Sequence, residues 1–369
     1  MRRNAIAATC AMLVALAPAW ALSAAKVGRI DYIEGGVTVT RSGKAITDPN
    51  IDDSLQSGDL IKTAGDGMMV IAFDKNTGMD GKLTVTARTS LYLKVEMVKG
   101  QPKTSIDLLA GSIGSKVAKI AGAPTMSVQT SGAVMGVRGT EYEVAVSVNE
   151  AVLVTCVEGQ VAVSDGKEEL PVAAGKVLEK RSGERLRYLP VAVSSVKDFR
   201  RKWIADEIAV FRADAPRALA DYEKRYSDLA AQFQRDFVPF QKSAVLKRWL
   251  DADRAGTRIN PMDPENLRDK KEMAAHLLKL RKTLFVFERI YYRVDEIISL
   301  VEGSPTEKKE LRPGFTIGDF LKRVKVERDQ LARNVSLFRY AEALYAERNP
   351  DGEAIGAGDD DFFGADEDF

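Results

Sequence analysis

The sequence predicts a chain in two parts, an all-β domain over residues 26–193 followed by an antiparallel three-helix coiled-coil bundle over residues 194–349. Three observations carry this expectation. Short β-branched runs bounded by turn residues recur from Val27 to about Val193, as in an all-β sandwich, barrel or solenoid. At about Ser194 the apolar period changes to the 3-4 alternation of a helix seam. Near the middle of the β text, Met126–Val144 reads MSVQTSGAVMGVRGTEYEV, two β-patterned runs that meet at Gly-Val-Arg-Gly-Thr.

Taken in order, the first 25 residues read as an address. Arg2 and Arg3 precede an apolar run from Ala5 to Ala19, and small residues follow at Ala21, Ser23, Ala24 and Ala25, the layout of a cleaved secretory signal with its cut between Ala21 and Ala25. The run falls short of the ~20 residues that span a bilayer as a helix, so the mature chain is expected not to span the membrane. Cleavage leaves one thiol, Cys156, and no internal disulfide.

The β elements begin with Val27 to Ile33 and a Gly35-Gly36 turn into Val37-Thr38-Val39-Thr40. Leu55 to Thr63, Met69 to Phe73, Leu83 to Ala87 and Leu91 to Val95 follow. Leu109-Ala110-Gly111-Ser112-Ile113 reads as strand, turn, strand. After the central motif come Val144 to Val148, Val152 to Val157, Gln160 to Val163 and Val172 to Val177. Repeated glycine-bounded segments of similar length favour a solenoid-like stack, although no strict repeat is visible.

In the helical half, Ser194 or Ser195 is placed to cap a helix containing Phe199 and Trp203. Leu219, Tyr222, Tyr226, Leu229 and Phe233 form one seam. Asp263-Pro264-Glu265 opens a second helix that runs to Glu302, nearly 60 Å at ~1.5 Å per residue. A third starts near Thr316 and ends before Asn349-Pro350. Short connections between three long seams imply the bundle. Residues 350–369 form an acidic tail, with Asp359, Asp360, Asp361, Asp366, Glu367 and Asp368, that is expected to be disordered.

Composition narrows the chemistry. Lysine plus arginine (54) balance aspartate plus glutamate (53), so no global field points to nucleic acid. One histidine, His276, leaves no conventional Ser-His-Asp triad and no multi-histidine metal site. No catalytic constellation and no cofactor are expected. Asp74-x-Asn76-x-Gly78-x-Asp80 resembles a calcium loop, and a β-hairpin turn explains the same letters. Cys156 lies in an apolar strand and reads as an inert thiol. The candidate binding residues are Gly136, Arg138, Gly139, Thr140 and Glu141. Both glycines are expected to let the backbone turn where a Cβ would clash. Arg138 would either pin that turn against carbonyls or Glu141, or face a carboxylate or phosphate ligand.

The order of motifs resembles the FecR family of bacterial envelope proteins. The matching text is Leu55-x-x-Gly58-Asp59-x-Ile61-x-Thr63, Phe73-Asp74, Leu109-x-Gly111-Ser112-Ile113, Val128-Gln129-Thr130 and Val137-Arg138-Gly139-Thr140-Glu141-Tyr142-x-Val144. Val157-Glu158-Gly159-Gln160-Val161-x-Val163 and Ala174-Gly175-Lys176 close it. The similarity covers roughly Val27 to Val193. It implies an extracytoplasmic, solenoid-like β domain that binds a partner without catalytic residues. Better-studied members of the family look like transmembrane regulators that relay a signal from an outer-membrane transporter to a sigma factor. This chain departs from them by carrying a signal peptide where they carry a cytoplasmic segment and a span.

The leading expectation is a non-enzymatic periplasmic or secreted envelope protein. Its β domain would bind an envelope protein or glycan, and its helical half would serve as a spacer or assembly surface able to form an oligomer. A regulator in a signalling relay of the sigma-factor and iron-uptake type is the alternative. An envelope hydrolase is the weaker alternative.

Overall fold

The computed structural model describes residues 26–46, 48–77, 79–98, 101–118, 126–137, 139–257 and 259–349. The expected signal peptide, the acidic tail, Gly78 and Arg138 lie outside the described residues, as does the side chain of Asn76. The chain is β-rich first and helical after, as its periodicities predict.

Among the described residues, seventeen strands make up the β part. They are β1 (Lys26–Glu34), β2 (Val37–Arg41), β3 (Lys44–Ile46), β4 (Ser54–Gln56), β5 (Leu60–Thr63), β6 (Met68–Phe73), β7 (Gly81–Val85), β8 (Ser90–Val98) and β9 (Gln101–Val117). There follow β10 (Met126–Gln129), β11 (Val134–Val137), β12 (Glu141–Val146), β13 (Val152–Glu158), β14 (Gln160–Ser164), β15 (Glu169–Ala173), β16 (Val177–Lys180) and β17 (Arg187–Leu189). Among the described residues they form two sheets rather than a stack of like rungs. The first runs β4-β1-β6-β7-β9-β12-β13-β16-β17. The second runs β3-β2-β5-β8-β9-β10-β11-β14-β15. Alternating residues of both sheets, among them Ile30, Ile61, Ile71, Leu83, Leu91, Ile106, Val144 and Val161, bury one shared apolar core.

Strand β9 belongs to both sheets. Through Ala110 it pairs with β8, and from Gly111 onward it pairs with β12 and, from Ile113, with β7. Gly111 is therefore a kink within one long strand, not the turn that the sequence suggests. Its φ of +85° and the 2.4 Å between a built Cβ and Thr89 Oγ1 admit glycine alone without strain.

The topology also exposes a repeat. Ile33-Glu34-Gly35-Gly36-Val37-Thr38-Val39-Thr40 and Val157-Glu158-Gly159-Gln160-Val161-Ala162-Val163-Ser164 are matching text. Each carries the chain from the first sheet to the second through a glycine with φ of +64° or +82°. Each then makes a hairpin, β2–β3 or β14–β15.

Five helices follow: α1 (Val196–Ala213), α2 (Ala215–Gln241), α3 (Ala244–Arg254), α4 (Pro264–Val301) and α5 (Ile317–Glu347). Asp263 caps α4 through the Glu265 amide, and Thr316 with Asp319 forms a capping box on α5. Ser195 stands at the start of α1 but makes no side-chain cap bond. The expected seams of α2, α4 and α5 do share a core. Tyr226 packs against Phe287 (5.6 Å between centroids) and Phe320 (5.9 Å), and Phe233 lies 6.0 Å from Phe287.

The helical half is not a spacer set apart from the sheets. Val196 and Trp203 of α1 pack on Ala145, Ala151, Leu153 and Val177, the outer face of the first sheet. Tyr292 of α4 packs on Leu60, Tyr92, Leu109 and Ala110, the outer face of the second. The tip of the β12–β13 hairpin enters the bundle, where Val148 joins the helical core and its carbonyl accepts a hydrogen bond from the Tyr222 hydroxyl (2.8 Å).

Candidate binding groove

Strands β9, β12 and β13 have one end among the helices and the other end free. At the free end the chain leaves β11 after Val137, turns, and enters β12 at Glu141. Gly139 has φ of +61° and makes that turn cheaply. Gly159, at φ +82°, makes the neighbouring corner, where a Cβ would stand 2.7 Å from Thr140 Cγ2 and 2.8 Å from the Gly139 carbonyl oxygen. The two corners interlock and admit no larger residue at 159.

Gly136 differs from the expectation. It lies inside β11, opposite Ser127 and Ala162. A Cβ there would meet nothing nearer than Ala162 Cβ at 4.0 Å, an ordinary contact. Neither conformation nor packing within the fold requires glycine at this position.

Around these corners opens a groove of about 1420 Å3. Its apolar lining includes Phe73, Val117, Val137 and Ala162, and its polar lining includes Asp80, Lys82, Lys116, Glu141, Glu158 and Gln160. Of the residues singled out in the sequence, Gly136, Gly139, Thr140, Glu141 and Asp80 line this one groove. Thr140 is 2% exposed, and its hydroxyl has no hydrogen-bond partner among the described residues.

The charged lining is ordered. Lys82 on β7 stands opposite Lys116 on β9, Lys116 opposite Glu141 on β12, and Glu141 opposite Glu158 on β13. The row reads plus, plus, minus, minus across four adjacent strands. Lys82 bonds Asp31 (2.7 Å) and Lys116 bonds Glu141 (2.9 Å). The bond to Glu141, reinforced by its charge, holds the Lys116 ammonium above its ordinary pKa. Lys82 and Lys116 remain 59% and 72% exposed. Like charges placed directly opposite each other disfavour strand pairing, so two such pairs side by side serve no evident purpose in the sandwich.

Asp74 pairs with Lys26 (3.2 Å), whereas Asp80 lines the groove. Among the described residues no three His, Cys, Asp or Glu side chains converge as a metal site. Burial pushes the Cys156 thiol up to about 11, so it stays protonated at neutral pH.

A second polar constellation escaped the sequence analysis. Where the helices meet the sheets, Arg289 of α4 donates to Asp107 of β9, with side chains only 6% and 11% exposed. Glu288 accepts from the Tyr92 hydroxyl (2.8 Å) and pairs with Arg339 of α5. Lys62 reaches Asp295 (2.8 Å). Under α1, Glu179 accepts from Trp203 Nε1 (2.7 Å), Arg181 and Arg187. Burial pushes the Glu179 carboxyl up, but those donors more than offset it and hold it below its ordinary pKa. Apart from Arg181 and Arg187, which lie two and eight residues from Glu179, the partners come from distant stretches of chain, so local spacing does not announce most of this network. It is structural: each of these charges is answered within the molecule, and Arg289, Glu288, Asp295 and Trp203 carry the bonds across the junction.

Comparison with curated proteins finds no match. Two crystal structures of a candidate anti-sigma factor from Parabacteroides distasonis ATCC 8503 resemble part of the chain. One is 13% identical, covering 38% of this chain and 63% of that one, with a TM-score of 0.32. The other is 14% identical, covering 37% and 56%, with a TM-score of 0.25. This chain thus spans less than two thirds of either, and likenesses of this degree carry no argument about its fold or role. The match to a family model is of a different kind: it covers residues 59–162, the family is described as FecR protein, and every residue lining the groove falls inside that span. Residues 59–162 are a FecR domain.

Proposed function

We propose that this chain is a non-catalytic FecR-type regulator, which binds a protein partner at the groove and passes that state on through the helices locked to its sandwich. The observation that carries the reading is that the FecR match contains the whole groove while the helices leave it open. A rigid junction suits such a role, because a partner bound at one end of β9, β12 and β13 acts on strands whose other ends are held by α1 and α4. The regulator would work outside the cytoplasm, in the compartment implied by the signal-like leader. Among the described residues no helix is long and apolar enough to cross a membrane.

A photo-crosslinking side chain at Gln160, in the native cell, tests the reading. It should capture one defined protein, the same side chain at the exposed Val326 of α5 should not, and Gly136→Trp should abolish the capture. No groove-dependent crosslink would overturn the proposal. The leader favours one second reading, an envelope scaffold that binds without signalling. A chromosomal Gly136→Trp allele separates the two, since it should change a small, defined set of transcripts for a regulator and none for a scaffold.

A further inference from the structure

We infer that the groove takes an extended peptide segment of its partner, with acidic residues at one end, basic residues at the other and apolar residues between. The inference rests on the groove being the binding site, as proposed above, and names what binds there.

Size is the first argument. About 1420 Å3 exceeds the roughly 300–1,000 Å3 typical of small-molecule sites, so a segment of a macromolecule fits better than a metabolite. Charge is the second. Lys82 and Lys116, largely exposed beyond their pairs with Asp31 and Glu141, can also receive carboxylates, and the glutamate end of the row at Glu158 can receive a cation, while Phe73, Val117 and Val137 add apolar surface. A peptide supplies both signs and apolar side chains on one backbone. A glycan supplies no cation for the two glutamates. Spacing is the third. Strands lie about 4.8 Å apart, so the row from Lys82 to Glu158 covers about 14 Å, which an extended peptide crosses in four to five residues at about 3.3 Å each.

Two details of the lining agree. Gly136 is not needed by the fold, and its missing side chain leaves room for another backbone to come close. The like-charge pairs across strands cost the free sandwich a little, and a partner of opposite pattern would offset that cost.

The test uses the full chain and two labelled peptides of one composition. The first is acetyl-Gly-Val-Asp-Asp-Leu-Lys-Lys-Val-Gly-amide, whose charges span five residues as the row requires. The second interleaves the charges: acetyl-Gly-Val-Asp-Lys-Leu-Asp-Lys-Val-Gly-amide. By fluorescence anisotropy at low salt, the first should bind about tenfold more tightly than the second. The double variant Lys116→Glu/Glu141→Lys keeps an ion pair at that place while turning the row into alternating charge. Its preference should switch to the interleaved peptide, and its melting temperature should equal or slightly exceed the parent's, because both like-charge pairs are gone. Equal affinities, an unchanged preference in the double variant, or no binding of either peptide up to about 1 mM would each overturn the peptide assignment. Retention on sonicated envelope glycan without peptide preference would overturn it as well. If the peptides fail but the Gln160 crosslink persists, the groove reading stands and only its ligand class falls. If both fail, both are wrong.

Discussion

At the helix-covered end of the sandwich, Asp107 and Arg289 face each other almost without solvent, and Tyr92, Glu288 and Arg339 form a buried chain beside them. At the free end, Lys82, Lys116, Glu141 and Glu158 stand in a row along an open groove, like beside like. Both ends carry carboxylates and cations. Buried charge must be answered within the molecule, because an unpaired ion in a low-dielectric setting is costly. Exposed charge is screened and contributes little to stability. The junction charges therefore hold two halves in one arrangement, while the groove charges, in exposed pairs, contribute little to it.

The largest effect is expected from breaking the junction. Asp107→Ala leaves the Arg289 guanidinium buried without its carboxylate, beside the Phe285 carbonyl and ring. Orphaning one member of a buried pair costs about 3–5 kcal/mol, to be read as a shift in the urea midpoint at unchanged slope. Replacing both partners by apolar residues, Asp107→Leu with Arg289→Met, should recover most of that loss. If Asp107→Ala costs under about 1 kcal/mol, the junction behaves like a surface and the comparison fails.

Two glycines of the groove sharpen the contrast at smaller scale. Gly159→Ala forces a Cβ to within 2.7 Å of Thr140 at a left-handed backbone position, and strain of this kind costs about 1–3 kcal/mol. Gly136→Ala meets only ordinary contacts, and alanine in a strand should leave stability equal or up to about 1 kcal/mol higher. Thermal melts of the two variants should thus move apart, with Gly136→Ala altering binding alone. Equal destabilisation would make Gly136 a fold residue after all.

These residues also mark how far the sequence could be read. The β-then-α order, the capped starts of α4 and α5 and the seams of α2, α4 and α5 were legible, because alternation, caps and 3-4 spacing act locally. The groove was half legible: Gly139, Thr140 and Glu141 stood out as a corner, while Lys82 and Lys116 joined them only through strand register. Strand β9 was misread at Gly111, since a glycine that lets one strand change sheets looks in sequence like a turn between two. The junction was illegible. Asp107 and Arg289 lie 182 residues apart, and a charged residue on a helix or strand reads as solvated until something covers it. Likewise the matching corners at Gly35 and Gly159 passed unnoticed as a repeat, because too few of their flanking residues agree until both are seen crossing between the same two sheets.

Acid provides the gentlest probe of the same contrast. The Glu179 carboxyl sits beneath α1 and is held below its ordinary pKa of 4.5. A depressed carboxylate contributes stability that is fully present above the unfolded value and is lost as pH falls through the folded one. Loosening of α1 from the first sheet should therefore begin below about pH 4.5 and be absent from neutral pH down to 5. Hydrogen exchange along Val196–Ala213 is the measurement, because it reports this helix without requiring global unfolding. Glu179→Gln keeps the shape, removes the titrating group and weakens the bonds from Trp203, Arg181 and Arg187. The variant should exchange faster at neutral pH and show a flatter pH dependence between 5 and 3 than the parent. Lys116→Ala is the matching control at the open end. Its ion pair with Glu141 is exposed, so α1 exchange in that variant should follow the parent curve at every pH. A parent curve that is flat through this range would mean that Glu179 does not link helix docking to protonation, and that the buried carboxylate is held by packing rather than by its charge.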